Sequence, residues 1–168
     1  MSGMSTPNDD ALRELAEQLG ERLRHARQML ACAESCTGGF VSKVITDVAG
    51  SSEWFDRGFV TYTNEAKQEL LGVPAQTLTE HGAVSEPTAR AMAAGAIRHS
   101  QAAITLAITG VAGPGGGSLE KPVGKVWFAW ARRDGRVEAE ARQFAGNRDQ
   151  VRRQAVAHAL AGVLSRFG

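Results

Sequence analysis

At 168 residues the chain has the length of one domain, and its 43% apolar and 22% charged residues exclude a disordered, collagenous or coiled-coil protein. Nineteen Lys plus Arg against eighteen Asp plus Glu leave a net charge of +1, so no global field draws the chain onto nucleic acid or an anionic membrane. Any anion site must be local.

The opening MSGMSTPNDD has neither a cationic n-region nor an apolar h-region, and no apolar stretch approaches the roughly 18 residues of a membrane span. These features predict a cytoplasmic protein with a flexible start over residues 1–9 and one domain over 10–168. Thr6-Pro7-Asn8-Asp9 predicts a helix start, with Thr6 as the hydroxyl cap and Pro7 at the first helical position. Leu12, Leu15, Leu19 and Leu23 then recur at helical spacing, in a helix that ends near His25 or Arg27. Residues 29–33 are apolar but too few for a core helix, which predicts a buried strand feeding into Glu34-Ser35-Cys36-Thr37-Gly38-Gly39. Phe40, Val41, Val44 and Ile45 begin a second helix.

Ser51 and Ser52 mark a loop before residues 54–62, whose Phe59-Val60-Thr61-Tyr62 is rich in β formers. Asn64 is placed to cap a helix that reaches Leu71 and is stopped by Gly72 and Pro74. Ser85-Glu86-Pro87 opens an alanine-rich helix over 88–99, and 103–109 is a second buried strand running into the glycine-rich loop 110–117. Residues 123–131 and 137–144 flank Asp134-Gly135, a strong hairpin signal, and Asn147 is placed to cap a last helix reaching about Phe167. Strands alternating with helices before the hairpin predict an α/β fold, a three-layer α/β/α sandwich on a mixed, mostly parallel central sheet.

Two loops leave the expected central strands, where open α/β sheets bind ligands. At Ser35 the strand turns sharply into a helix, so the first helical N–H groups are expected to face whatever lies above that hydroxyl. This suits a serine nucleophile beside an oxyanion or phosphate site, while from spacing alone Ser35 or Thr37 as a plain helix cap is the commoner reading. The run 109–117, followed by Lys121-Pro122-Val123-Gly124, offers backbone amides for an anion pocket, yet it is neither a Walker loop nor a dinucleotide fingerprint. A ligand-free connection is the alternative.

His25, His81, His99 and His158 are scattered and give no support to a Ser-His-Asp triad. Cys32 and Cys36 bracket the turn without zinc-site spacing, and no His-Glu-x-x-His occurs, so no metal site is expected. A buried neutral lysine can serve as base, which makes Lys43, Lys67, Lys121 and Lys125 worth locating, although a solvated surface lysine is the commoner case. Arg142, Arg148, Arg152 and Arg153 crowd the start of the last helix, with Arg148 and Arg152 one turn apart. They offer either a phosphate grip or a solvated basic face, and without interleaved aromatics they do not make a nucleic-acid patch.

Five ordered motifs now stand out: 33–39, Tyr62-Thr63-Asn64-Glu65-Ala66-Lys67, Gly82-Ala83-Val84-Ser85, 109–116 and 121–124. Together, over about residues 10–165, they resemble the CinA C-terminal domain family. Stand-alone members of that family hydrolyse the carboxamide of nicotinamide mononucleotide to nicotinate mononucleotide and ammonia. The resemblance implies Ser35 as nucleophile and Lys67 as its base, with Tyr62, Thr109 and Arg148 positioning substrate or charge, and Arg152 a rival to Arg148. Amides around Cys36 and Thr37 would receive the oxyanion, while Gly38, Gly110 and Gly113 would admit the nucleotide. It implies no metal and no organic cofactor, a small-molecule nucleotide as the partner, and a homo-oligomer. Lys125 departs from the pattern, standing where a small hydroxyl residue is expected. Cys36 is a competing nucleophile, for which a packing role is favoured. The alternatives are a non-catalytic nucleotide-binding module, or a structural domain acting by oligomerising, with Trp127 and Trp130 either at a subunit contact or in the core.

Overall fold

The computed structural model describes residues 5–166, which form six α-helices and one five-stranded sheet. Residues 1–4 of the expected flexible start, and Phe167 at the expected end of the last helix, lie outside the described residues. The elements are α1 (Asp9–Ala26), β1 (Leu30–Glu34), α2 (Phe40–Thr46), β2 (Phe55–Val60), α3 (Asn64–Leu71), α4 (Ala75–His81), α5 (Glu86–Arg98), β3 (Ile104–Gly110), β4 (Lys125–Arg132), β5 (Val137–Gln143) and α6 (Arg148–Arg166). The strand order is β2-β1-β3-β4-β5, with β1 parallel to both β2 and β3. Antiparallel pairing of β4 with β3 and β5 leaves β4 alone running against the other strands. The expected mixed α/β sheet, antiparallel around the hairpin, is borne out.

Side-chain alternation on the strands divides the core in two. Leu30, Cys32, Ile104, Leu106, Ile108, Val126, Phe128 and Trp130 pack with the apolar stripes of α1, α2 and α6. The opposite face presents small residues, Ala33, Ala107, Ala129 and Ala131, to Met92, Ala93 and Ala96 of α5. Because those strand residues are small, α5 lies close to the sheet, and α3 closes against it where Gly95 meets the Leu71 backbone. Trp130 belongs to the core, its indole N–H donating to the Ala159 carbonyl at 3.1 Å, and Trp127 packs half-buried against the α5 side.

Several local expectations are corrected. Asn8, not Thr6, caps α1, its side chain accepting from Ala11 N at 2.8 Å, so Pro7 precedes the cap. Thr63, not Asn64, caps α3 by accepting from Ala66 N at 3.1 Å. The cap falls two residues later in the first case and one earlier in the second, because a cap needs extended backbone and an oxygen in reach of the third residue on. Helix α4 gives almost no sequence signal, since Leu78 is its single buried residue. Residues 51–53 form a 3-10 turn in the expected loop. Asn147 does cap α6, and Gln150 reaches back to its N–H at 2.8 Å in a reciprocal capping box.

Candidate active site

The end of β1 carries the chemistry. Ser35 N–H donates to Ile108 O at 3.0 Å, extending the β1–β3 ladder by one residue before the chain turns through 36–39 into α2. Two-residue alternation then sends Glu34 to the α1/α2/α6 face and Ser35 to the α3/α5 face. Lys67, on α3, meets Ser35 there. Its Nζ lies 2.9 Å from Ser35 Oγ and 2.9 Å from the carbonyl oxygen of Thr61. Lys67 is 1% exposed and Ser35 8% exposed. Burial pulls the Lys67 pKa below the usual lysine range, opposed only by charge on Cys36. A neutral amine donating to Thr61 O is free to accept the Ser35 proton.

Ser35, Cys36, Tyr62, Lys67, Thr109, Gly110, Gly113 and Arg148 share one cleft of about 320 Å³ with Ala83, Val84 and the rest of the glycine loop. Arg148 spans its mouth, donating from Nη1 to Gly113 O at 2.7 Å and from Nη2 to Tyr62 Oη at 3.0 Å. Both partners are neutral, and no carboxylate lines the cleft. Tyr62 is 60% exposed at the rim. Thr109 is buried and spends its hydroxyl on Ala83 O at 2.9 Å, tying the 82–85 loop to the end of β3.

Thr37 and Gly38 are not brought into the cleft. Thr37 is fully buried and donates its hydroxyl to Glu34 Oε1 at 2.7 Å, and its carbonyl accepts from Arg152 Nη2 at 2.9 Å. Arg152 therefore backs the turn, whereas Arg148 faces the cleft. The α2 amides do not point above Ser35 as expected, because Glu34 occupies them: Gly39 N and Val41 N donate to Oε1 at 3.1 and 2.9 Å, and Ser42 N to Oε2 at 3.0 Å. The amides of Cys36 and Thr37 donate to no carbonyl or side-chain oxygen among the described residues. Cys36 is disfavoured as a thiolate at neutral pH, since burial pushes its thiol up to about 12.

The other lysines sit elsewhere. Lys43 pairs with Asp47 at 2.7 Å, Lys121 donates to His81 O at 2.5 Å, and Lys125 to Glu120 O at 3.3 Å. Arg153 pairs with Asp9 and Asp149, and Arg142 with Glu140. His158 is held by Glu140 at 2.5 Å among Phe128, Trp130 and Phe144, outside the cleft. No group of three or more His, Cys, Asp or Glu able to hold a metal occurs among the described residues. The sequence reading assigned no role to Glu34, Thr61, Ala83 or Val84. Glu34 left a usable signal: an acid ending an otherwise apolar strand must find donors.

The CinA C-terminal domain model matches residues 12–167. The nicotinamide-nucleotide amidohydrolase PncC of Escherichia coli K12 is 53% identical over 159 residues, covering 95% of this chain and 96% of that protein. The PncC of Pseudomonas putida is 51% identical over 92% of this chain and 96% of its own length. The crystal structure of the competence/damage inducible protein CihA from Agrobacterium tumefaciens superposes with a TM-score of 0.91 at 44% identity, covering 98% of each chain. A cleft built at the end of β1 from the 33–39, 62–67 and 109–116 motifs, in a chain matched over residues 12–167, leaves one assignment: the chain belongs to the CinA C-terminal domain family.

Proposed function

We propose that this chain is a nicotinamide-nucleotide amidohydrolase, converting nicotinamide mononucleotide to nicotinate mononucleotide and ammonia. The observation that carries the chemistry is the 2.9 Å approach of a buried Lys67 amine to Ser35 Oγ on the floor of a cleft without carboxylates. The substrate comes from the PncC relatives, which match nearly the whole chain at about half identity.

An amide is a poor electrophile, so Ser35 must lose its proton as it attacks. Oγ bonds to the carboxamide carbon while neutral Lys67 takes the hydroxyl proton. The carbonyl electrons move onto oxygen, where a backbone N–H beside Ser35, that of Cys36 as the next residue in the chain, would donate to it. Collapse of the tetrahedral adduct breaks the C–N bond, and the Lys67 ammonium returns its proton to the departing nitrogen, releasing neutral ammonia. Lys67 then deprotonates a water that attacks the Ser35 ester. The acid leaves, and the proton passes back to Ser35. Thr61 O holds the amine in place through both transfers.

Arg148 fits the phosphate of the nucleotide, since its present partners are a carbonyl and a phenol that an anion would displace. Tyr62 at the rim positions that arginine, and Thr109 with Gly110 and Gly113 shapes the wall. Thr37 and Gly38 act by forming the turn. The reading includes residues 10–168 as a single catalytic domain, with no metal or organic cofactor, working in the cytoplasm as a homo-oligomer. No described helix is long and apolar enough to cross a membrane.

Ammonia release from nicotinamide mononucleotide by the wild type beside Ser35→Ala tests the reading. The wild type turns over, and the variant, with unchanged circular dichroism, loses orders of magnitude in turnover. Near-normal deamidation by Ser35→Ala refutes the nucleophile, and an inert wild type refutes the substrate.

A further inference from the structure

Glu34 is fully buried, and nothing in the chemistry above uses its carboxylate. It accepts five hydrogen bonds: Thr37 Oγ1 at 2.7 Å, Gly39 N at 3.1 Å and Val41 N at 2.9 Å on Oε1, Ser42 N at 3.0 Å and Ser42 Oγ at 2.7 Å on Oε2. Cys32 Sγ adds a long contact at 3.8 Å. A buried carboxylate is retained only where its lone pairs are met, and here backbone amides and hydroxyls meet them without any lysine or arginine in hydrogen-bond reach. The donors all belong to the segment between Ser35 and the first turn of α2, apart from the Cys32 thiol. Its main chain holds the other half of the site. Glu34 O accepts from Thr61 N at 2.7 Å and Thr61 Oγ1 at 3.2 Å, and Thr61 O in turn receives Lys67 Nζ.

We propose that Glu34 is a positioning residue for the Ser35 nucleophile: its carboxylate folds the 35–39 turn so that Oγ faces Lys67. The inference rests on the amidohydrolase reading for its substrate, but not for its geometry. The α2 N-terminus, which by itself would attract a substrate anion, is consumed by Glu34, so anion binding is left to Arg148 and the glycine loop.

Glu34→Gln is nearly isosteric but replaces one acceptor oxygen by an NH2 group. Its remaining oxygen can serve only one of the two donor sets, and whichever set faces the NH2 loses its acceptor. The turn must then shift. A displacement of reacting atoms by about 1 Å costs on the order of 100-fold, so kcat per folded molecule should fall about 10- to 100-fold with KM changed less than about 3-fold. The pH dependence that Lys67 imparts should stay in place, since its burial and its bond to Thr61 O are untouched.

Two readouts on the intact chain decide the matter: steady-state ammonia release, and the rate at which a fluorophosphonate labels Ser35, followed by mass spectrometry. Slower labelling and lower kcat in a variant whose unfolding midpoint lies well above the assay temperature support the proposal. Wild-type labelling and kcat in a folded Glu34→Gln, even with a lower Tm, overturn it and leave Glu34 structural only. Should Glu34→Gln not fold, Thr37→Val removes a single donor. A drop of about 3- to 10-fold in labelling then supports the proposal, and an unchanged rate overturns it. If the wild type does not deamidate the nucleotide yet labelling follows this pattern, the substrate reading fails and the role of Glu34 stands.

Discussion

Replacing Lys67 by Met removes the amine while keeping an unbranched side chain of similar length in a site that is 1% exposed. Loss of a general base costs about 100- to 10,000-fold, which at about 1.36 kcal/mol per decade is roughly 3–5.5 kcal/mol of transition-state stabilisation. Because burial holds the Lys67 pKa below its usual value, kcat/KM of the wild type should rise with pH along a limb centred below about 10.4. That limb should be absent from the residual activity of Lys67→Met. The same shift sets a stability trend. The folded-state pKa is depressed, so on lowering the pH the unfolded chain takes up the proton first, and the folded state is progressively disfavoured. This contribution is fully present above the unfolded pKa and is lost as pH falls through the folded one. The Tm difference, wild type minus Lys67→Met, should therefore be smaller at about pH 8 than at about pH 10. Activity of Lys67→Met within tenfold of wild type, or a wild-type-minus-variant Tm difference that rises as pH falls, refutes the neutral-base argument.

Arg148→Ala should raise KM for the nucleotide about 10- to 100-fold, the worth of one charge-assisted hydrogen-bonding pair, while kcat/KM for the phosphate-free nucleoside changes little; equal losses on both substrates would contradict a phosphate role. Cys36→Ser should keep turnover within about tenfold, and iodoacetamide should alkylate wild-type Cys36 far more slowly than a free thiol, because burial raises its pKa to about 12. Rapid alkylation measured by mass would oppose that account. Gly95→Ala would place its Cβ against the Leu71 backbone, 2.9 Å from the carbonyl carbon and closer still to the oxygen, atoms that cannot swing aside. The gain of about 1 kcal/mol in helix propensity is outweighed, and a net loss of about 1–3 kcal/mol lowers Tm by about 3–8 °C in thermal unfolding. A variant as stable as wild type would show that α3 and α5 can separate without cost.

The family, the sheet class and the strands flanking Asp134-Gly135 were legible in the amino-acid order, because hydrophobic period and turn chemistry are local properties. So was Ser35 as a hydroxyl at a strand-to-helix bend. Cap positions at Thr6 and Asn64 were misplaced by local rules, since several neighbouring polar residues satisfied them and only the backbone path selects among those. Helix α4 was missed because its stability comes from packing against α5 rather than from its own pattern.

What local order could not express is the parity of β1. Adjacent residues on a strand project to opposite layers, so Glu34 and Ser35, consecutive in the chain, serve different neighbours: one gathers the amides of α2, the other receives Lys67 from a helix 32 residues away. The residue types needed for the chemistry are written in the motifs. Their meeting, the withdrawal of Thr37 and Gly38 from the cleft, and the choice of Arg148 over Arg152 to face it follow from how two helical layers close on one sheet. A side chain's surroundings are set by that closure, which no run of neighbouring residues contains.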